Sequence, residues 1–202
     1  MTTSILMCGV TGLVGRALLE QLLADDHFDP VLALARRPLN AGGRSARLHL
    51  CTVDFADLDA HAELFRVQQI FWALGSTIRQ AGSQERFRAI EYGYAEKVAR
   101  LGRAGGAQHF LLVSALAAAA DSRVFYNRVK GEVEEMIQGI GFRSVTIVRP
   151  SILIGHRPEF GLGEAIAKRL LMVAPLKYRA VDARDVARAW SRRRSATRPA
   201  SA

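Results

Sequence analysis

The chain has 202 residues, half of them hydrophobic and 23% charged, which suits one globular domain with a substantial core and leaves too little for two. No run of about 18 apolar residues occurs, the longest stretch (110–120) being broken by Ser114, so no membrane span is expected; the N-terminus lacks a basic region, so no signal peptide is expected either. The net charge of +9 raises nucleic-acid binding, but Arg188, Arg192, Arg193, Arg194 and Arg198 all follow the last acid, and subtracting these five leaves +4, so 191–202 reads as a solvated, disordered basic tail.

Short apolar runs alternate with longer amphipathic ones, as in a parallel sheet covered by helices. The first run, 4–10, leads into Gly9-Val10-Thr11-Gly12-Leu13-Val14-Gly15 and then a helix over 13–24. Glycines at this junction let the backbone approach a phosphate and point its N–H groups at it, beside the positive end of a helix. The third glycine allows close packing of the helix on the sheet. The turn is therefore a pyrophosphate cradle, with Gly9, Thr11, Gly12, Leu13, Val14 and Gly15 as its candidate residues; the competing reading is a structural turn without a ligand.

The second strand, 31–35, ends in Arg36-Arg37-Pro38 with no acid nearby. An acid at this position would favour NAD, whereas arginine accommodates a 2′-phosphate, so the expected cofactor is NADP(H). Two ordinary surface arginines are the alternative. A loop is expected at 40–45 and a third strand at 48–53. Asp54, just beyond it, is a candidate for the adenine amino group or, equally, a loop or cap aspartate. Cys8 and Cys51, the two cysteines, lie in apolar runs and read as free thiols in a reducing compartment, the cytoplasm by default. A fourth strand at 69–73 places Trp72 in the core.

A helix is expected over 84–104, stopped by Gly105-Gly106, then strands at 109–113 and 144–148 flanking a helix over 125–139. Ser114 ends the fifth strand, and Tyr126 and Lys130 stand four apart on one face of the helix that follows. An ammonium beside a phenol favours the phenolate, which general acid–base catalysis at neutral pH requires, and a hydroxyl at the tip of the strand can polarise a carbonyl. Beyond 150 one helix (164–172), a strand near 177–181 and a helix start at Asp182 or Asp185 are expected, so 151–182 forms a small substrate-side segment of a single domain spanning 1–190. Arg157 and Arg169 are weighed as phosphate or substrate contacts against surface charges, and Phe160, Leu162 and Met172 as pocket lining against packing. The five histidines have no metal-ligand spacing.

Gly9-x-x-Gly12-x-x-Gly15, Ser114 and Tyr126-x-x-x-Lys130 resemble the short-chain dehydrogenase/reductase superfamily, in its extended or atypical branch. Ala73-Leu74-Gly75-Ser76-Thr77, 110–114, 130–134, 148–151 and 181–187 are similar to the small Tat-interacting-protein-like oxidoreductases. The resemblance implies a doubly wound α/β (Rossmann) fold. It makes Tyr126 the general acid/base, places Lys130 on the nicotinamide ribose and gives Ser114 the substrate carbonyl. Leu74, Gly75, Ser76 and Thr77 would line the cofactor, and Pro150, Ser151 and Ile152 would flank the nicotinamide. The family's relay asparagine on the fourth helix is replaced here by Arg88-Ala89-Ile90-Glu91. The expected function is NADP(H)-dependent reduction of a small carbonyl by a monomer or homodimer. The alternatives are a non-catalytic NADP(H)-binding regulator or scaffold, and a nucleotide-sugar epimerase or dehydratase, against which the arginine pair and the short C-terminal part count.

Overall fold

The computed structural model describes residues 2–39 and 45–150, and the backbone of 153–154 and 181–182. Strand β1 (Thr3–Cys8) leads to α1 (Leu13–Ala24), β2 (Phe28–Ala35), β3 (Leu48–Thr52), a 3₁₀ stretch (Leu58–Phe65) and β4 (Gln69–Trp72). Short α2 (Ile78–Ala81) precedes a helical rod built of α3 (Gln84–Arg88), a π-helical turn (Ala89–Gly93) and α4 (Tyr94–Ala104). Then come β5 (His109–Val113), α5 (Phe125–Gly139) and β6 (Ser144–Val148).

The six strands form one sheet in the order β3-β2-β1-β4-β5-β6, every pair parallel. This is the doubly wound Rossmann arrangement the alternating pattern predicts. The central strands β1, β4 and β5 are buried and largely apolar because both their faces are covered, while the edge strands β3 and β6 are only partly buried. Ile5 and Met7 of β1 turn to the face beneath Leu18 and Leu22 of α1. Leu6 and Cys8 turn to the other, with Val98 and Ala99 of α4 and Val133 and Ile137 of α5. Trp72 is fully buried, as expected.

The strand order reverses between β1 and β4, and in open sheets of this kind ligands bind at the carboxyl ends beside that reversal. β7 (Leu153–Ile154) and β8 (Val181–Asp182) pair in parallel as a separate ribbon. Asp182 is thus a strand residue and not a helix start, while Asp185 and the helix expected over 164–172 lie outside the described residues. Among the described residues no helix is long and apolar enough to cross a membrane.

The larger differences from expectation lie in β1, β2 and the helical rod. β1 stops at Cys8 because Gly9 takes φ +90°, outside the extended region. β2 begins three residues earlier than expected, running through Pro30; its register on β1 shifts between Thr3 and Ile5, and a proline without an N–H is tolerated at such a bulge. The helix expected at 84–104 is continuous but carries the π-helical turn in its middle.

Candidate functional site

The glycine turn is held by backbone on two sides. A Cβ on Gly9 would lie 2.4 Å from the carbonyl carbon of Ala73, and one on Gly15 would lie 2.1 Å from the Gly9 oxygen. The Gly12 N–H donates to that same oxygen at 3.0 Å. Gly12 caps α1 without a side-chain hydrogen bond to the first turn, so the leading amides of the helix, from Leu13 to Gly15, are left for a ligand. Val14 is buried, Leu13 packs against the α1-side core, and Thr11 is exposed at the tip. A cradle that side chains would fill, at the mouth of a capless 12-residue helix, fits a dinucleotide pyrophosphate.

Across the ends of β2 and β3 lies a pocket of about 340 Å³ lined by Arg36, Thr52, Val53 and Asp54. Arg36 and Arg37 are exposed and have no ion-pair partner among the described residues; Arg37 is not part of the pocket wall. Asp54 makes a turn contact and also faces the pocket. Its Oδ1 accepts the Ala56 N–H at 2.9 Å, closing a turn, while the residue also lines the pocket.

The loop after β4 meets the glycine turn and α5 together. Gly9 abuts the backbone of Ala73 and Leu74. At Gly75 a Cβ would lie 3.9 Å from Lys130 Nζ. Thr77 Oγ1 accepts the Gln80 N–H at 3.1 Å and caps α2, and Ser76 Oγ donates to the Thr77 carbonyl. Within 74–77, Gly75 therefore lies beside Lys130, and the Ser76 N–H is held by Glu91.

Ser114 ends β5 with its N–H on the Val148 carbonyl at 2.8 Å, and Leu116 N–H follows on the Pro150 carbonyl at 3.1 Å. Ser114 and buried Pro150 therefore sit on adjacent strand extensions; Ser151 and Ile152 lie outside the described residues. Ser114 Oγ is buried and has no hydrogen-bond partner among the described residues. Burying a hydroxyl unpaired costs about 1–3 kcal/mol, and a catalytic role is one recognised reason for retaining such a group.

Helix α5 is locked against the loop that Ser114 starts. Ala119 N–H donates to the Asn127 carbonyl at 3.1 Å, and a Cβ on Gly131 would lie 2.2 Å from Ala119 C and Ala120 N. Tyr126, half-buried, stacks at a tilt on Phe87 with centroids 5.5 Å apart. Lys130 is 6% exposed. Its Nζ donates to Glu91 Oε2 at 2.6 Å, and Glu91 Oε1 accepts the Ser76 N–H at 2.6 Å. Glu91 is 1% exposed and stands in the π-helical turn, on the stretch that carries the relay asparagine in the resembled family. Sequence reasoning registered the missing asparagine but not what the acid does. The available signal was an acid on the stripe Phe87, Ala95, Val98 and Ala99.

A second buried acid, Glu134, is 2% exposed and binds the Arg149 guanidinium through Nε at 2.9 Å and through Nη2. The carboxylate pushes the arginine further above its ordinary value, through the hydrogen bond first and charge second. The pair ties α5 to the end of β6, immediately before Pro150.

The sequence profile of an NAD(P)H-binding family matches residues 9–190. Protein HTATIP2 of Rattus norvegicus is 33% identical over 174 residues, 85% of this chain and 72% of its own length. A mitochondrial protein fmp52-1 of Aspergillus terreus is 35% identical over 170 residues, covering 82% and 73%. Among solved structures, the Bordetella bronchiseptica enzyme WbmH in complex with NAD+ superposes with a TM-score of 0.72 at 15% identity, over 95% of this chain and 72% of that one. A short-chain dehydrogenase family protein from Francisella tularensis gives 0.71 at 13% identity, over 95% and 90%. At such identities the superpositions show the fold alone.

Proposed function

Because this chain belongs to the NAD(P)H-binding family of atypical, HTATIP2-like short-chain dehydrogenase/reductases, we propose that it is an NADP(H)-dependent oxidoreductase that reduces a small carbonyl compound. The carrying observation is buried Lys130 of α5 against Gly75 of the 74–77 loop, with Tyr126 one turn earlier on the same helix and Ser114 ending β5 with a buried hydroxyl that has no hydrogen-bond partner among the described residues. The glycine turn would hold the pyrophosphate. Arg36, with Arg37, would hold the 2′-phosphate, and Asp54 faces the same pocket. Lys130 would bind the nicotinamide ribose, and Pro150, Ser151 and Ile152 would flank the ring. When bound, NADPH supplies the hydride.

Ser114 Oγ donates a hydrogen bond to the substrate carbonyl and polarises it. Tyr126 donates its phenolic proton to the oxygen as negative charge develops there. Lys130 orients the ribose next to both. Cys8 is fully buried, and burial pushes its thiol well above the ordinary range; Cys51 is also a free thiol. Both fit a reducing compartment. The relatives from fungi are named mitochondrial, and imaging of a tagged chain decides between that compartment and the cytoplasm.

One observation favours a second reading, an NADP(H)-binding regulatory protein with no turnover: Glu91 compensates the Lys130 charge that would otherwise act on the phenol. Calorimetry with NADPH and NADH on wild type and on Arg36→Ala/Arg37→Ala tests the cofactor. A preference for NADPH that disappears in the variant supports the assignment, and equal affinities in wild type refute it. NADPH consumption over a panel of aldehydes, ketones and quinones, with Tyr126→Phe as comparison, separates enzyme from regulator. Turnover lost in the variant supports the reductase; no turnover by wild type supports the regulator.

A further inference from the structure

We propose that Glu91 is a positioning residue for the nicotinamide half of the cofactor, holding Lys130 and the 75–77 loop in one arrangement. This rests on the NADP(H) reading above.

A carboxylate 1% exposed in the middle of an apolar helix stripe is costly, since each buried ion loses several kcal/mol of hydration. An aliphatic side chain would suit that face of the rod better on packing grounds alone. Glu91 instead spends its two oxygens in different directions. Oε2 takes the Lys130 ammonium and Oε1 takes the Ser76 N–H, both at 2.6 Å. The three groups come from the helical rod, α5 and the loop after β4, separated by 39 and 15 residues along the chain.

The rod is also deformed at this residue. The Tyr94 N–H reaches back to the Ala89 carbonyl, five residues earlier, and an extra residue in a helical turn is characteristically retained at functional sites. The pair lies directly under Gly75, where a Cβ would stand 3.5 Å from Glu91 Oε1 and 3.9 Å from Lys130 Nζ. Glu91 therefore fixes the position of the ammonium and the course of the adjoining backbone at once. Its hydrogen bonds reach neither the glycine turn nor the residues lining the pocket of Arg36 and Asp54.

That separation supplies the test. NADPH spans both halves of the site, whereas 2′,5′-ADP carries only the adenosine half. Glu91→Gln keeps the size of the side chain and its acceptor for Ser76 N–H but removes the charge that holds Lys130. Calorimetry on the full chain should show NADPH binding weakened about tenfold, the net worth of a charge-assisted hydrogen bond, with 2′,5′-ADP affinity unchanged. Should Glu91→Gln fail to fold, Glu91→Asp keeps the charge on a shorter arm and carries the same comparison with a smaller loss. Equal weakening of both ligands would reduce Glu91 to a structural pin, and unchanged NADPH binding would exclude it from the cofactor site. Wild type that binds neither ligand overturns the NADP(H) reading itself, which keeps the two failures apart.

Discussion

Replacing Gly131 with alanine sets helix propensity against packing in one methyl group. Gly131 lies mid-way along 15-residue α5, where alanine is intrinsically better by about 1 kcal/mol. The added Cβ, however, would lie 2.2 Å from Ala119 C and Ala120 N, and ordinary contact begins at 3.4 Å, so restoring it means separating helix and loop by about the difference, 1.2 Å. The obstacle is backbone, so no rotamer change relieves it. The loop is further tied down by Ala119 N–H on Asn127 O and by Arg128 Nη1 on Ser122 O. Overpacking of this kind costs about 1–3 kcal/mol. Less the propensity gain, the net loss is about 0–2 kcal/mol, or a fall in Tm of up to about 8 °C at roughly 2–4 °C per kcal/mol. The effect on turnover should be larger, because the same opening separates Tyr126 from Ser114, and a misplacement near 1 Å costs about 100-fold. Scanning calorimetry gives the first quantity, and NADPH oxidation with a carbonyl that wild type accepts gives the second. Gly139→Ala, on the same helix with nothing within 4 Å of its Cβ, is the control and should match or exceed wild type. If Gly131→Ala melts no lower than wild type and turns over at the same rate, the claim that α5 is locked to this loop is wrong.

Gly9→Ala meets both a φ of +90° and the Ala73 backbone at 2.4 Å; it should cost at least about 1–2 kcal/mol and remove detectable NADPH binding, read by melting and calorimetry. Arg149→Ala leaves the Glu134 carboxylate buried without its cation, and because the arginine is half-exposed the loss should be about 1–3 kcal/mol in urea denaturation. His109 is held below its ordinary 6.5 by burial, so the unfolded chain takes up the proton first. The stability this confers is complete above pH 6.5 and is lost as pH falls through the lower value of the folded state. The urea midpoint of wild type should therefore drop more between pH 7.5 and 5 than that of His109→Gln, and parallel profiles would count against the assignment.

Much of this site was legible because its signals are local. A glycine turn between an apolar run and an amphipathic helix, and a Tyr and Lys four apart, are read within one element each, and the structure puts Lys130 next to the loop of Gly75. β2 is longer than its apolar run 31–35 because it continues back through Pro30, beside a register shift on β1 that no local pattern encodes. The 3₁₀ stretch at 58–65 carries no clear helical stripe, since only Leu58 and Phe65 are buried and alanines alternate with polar residues between them. Glu91 was legible as an anomaly but not as a partner. Its ion pair depends on the rod and α5 packing side by side, and no spacing along the chain encodes that.

The two ends of the adenosine half differ in how much change they can absorb. The three atoms nearest to where a Cβ would start on Gly9 and on Gly15 are all main chain, within 3.0 Å, so the turn is held before any ligand arrives, and binding there loses little further conformational freedom. At Arg36 the wall is exposed side chain around an open pocket. On the proposed reading of the site, selection, natural or in the laboratory, therefore has the exposed rim at Arg36 in which to exchange one dinucleotide for another. The glycine turn, walled by main chain, offers no such latitude.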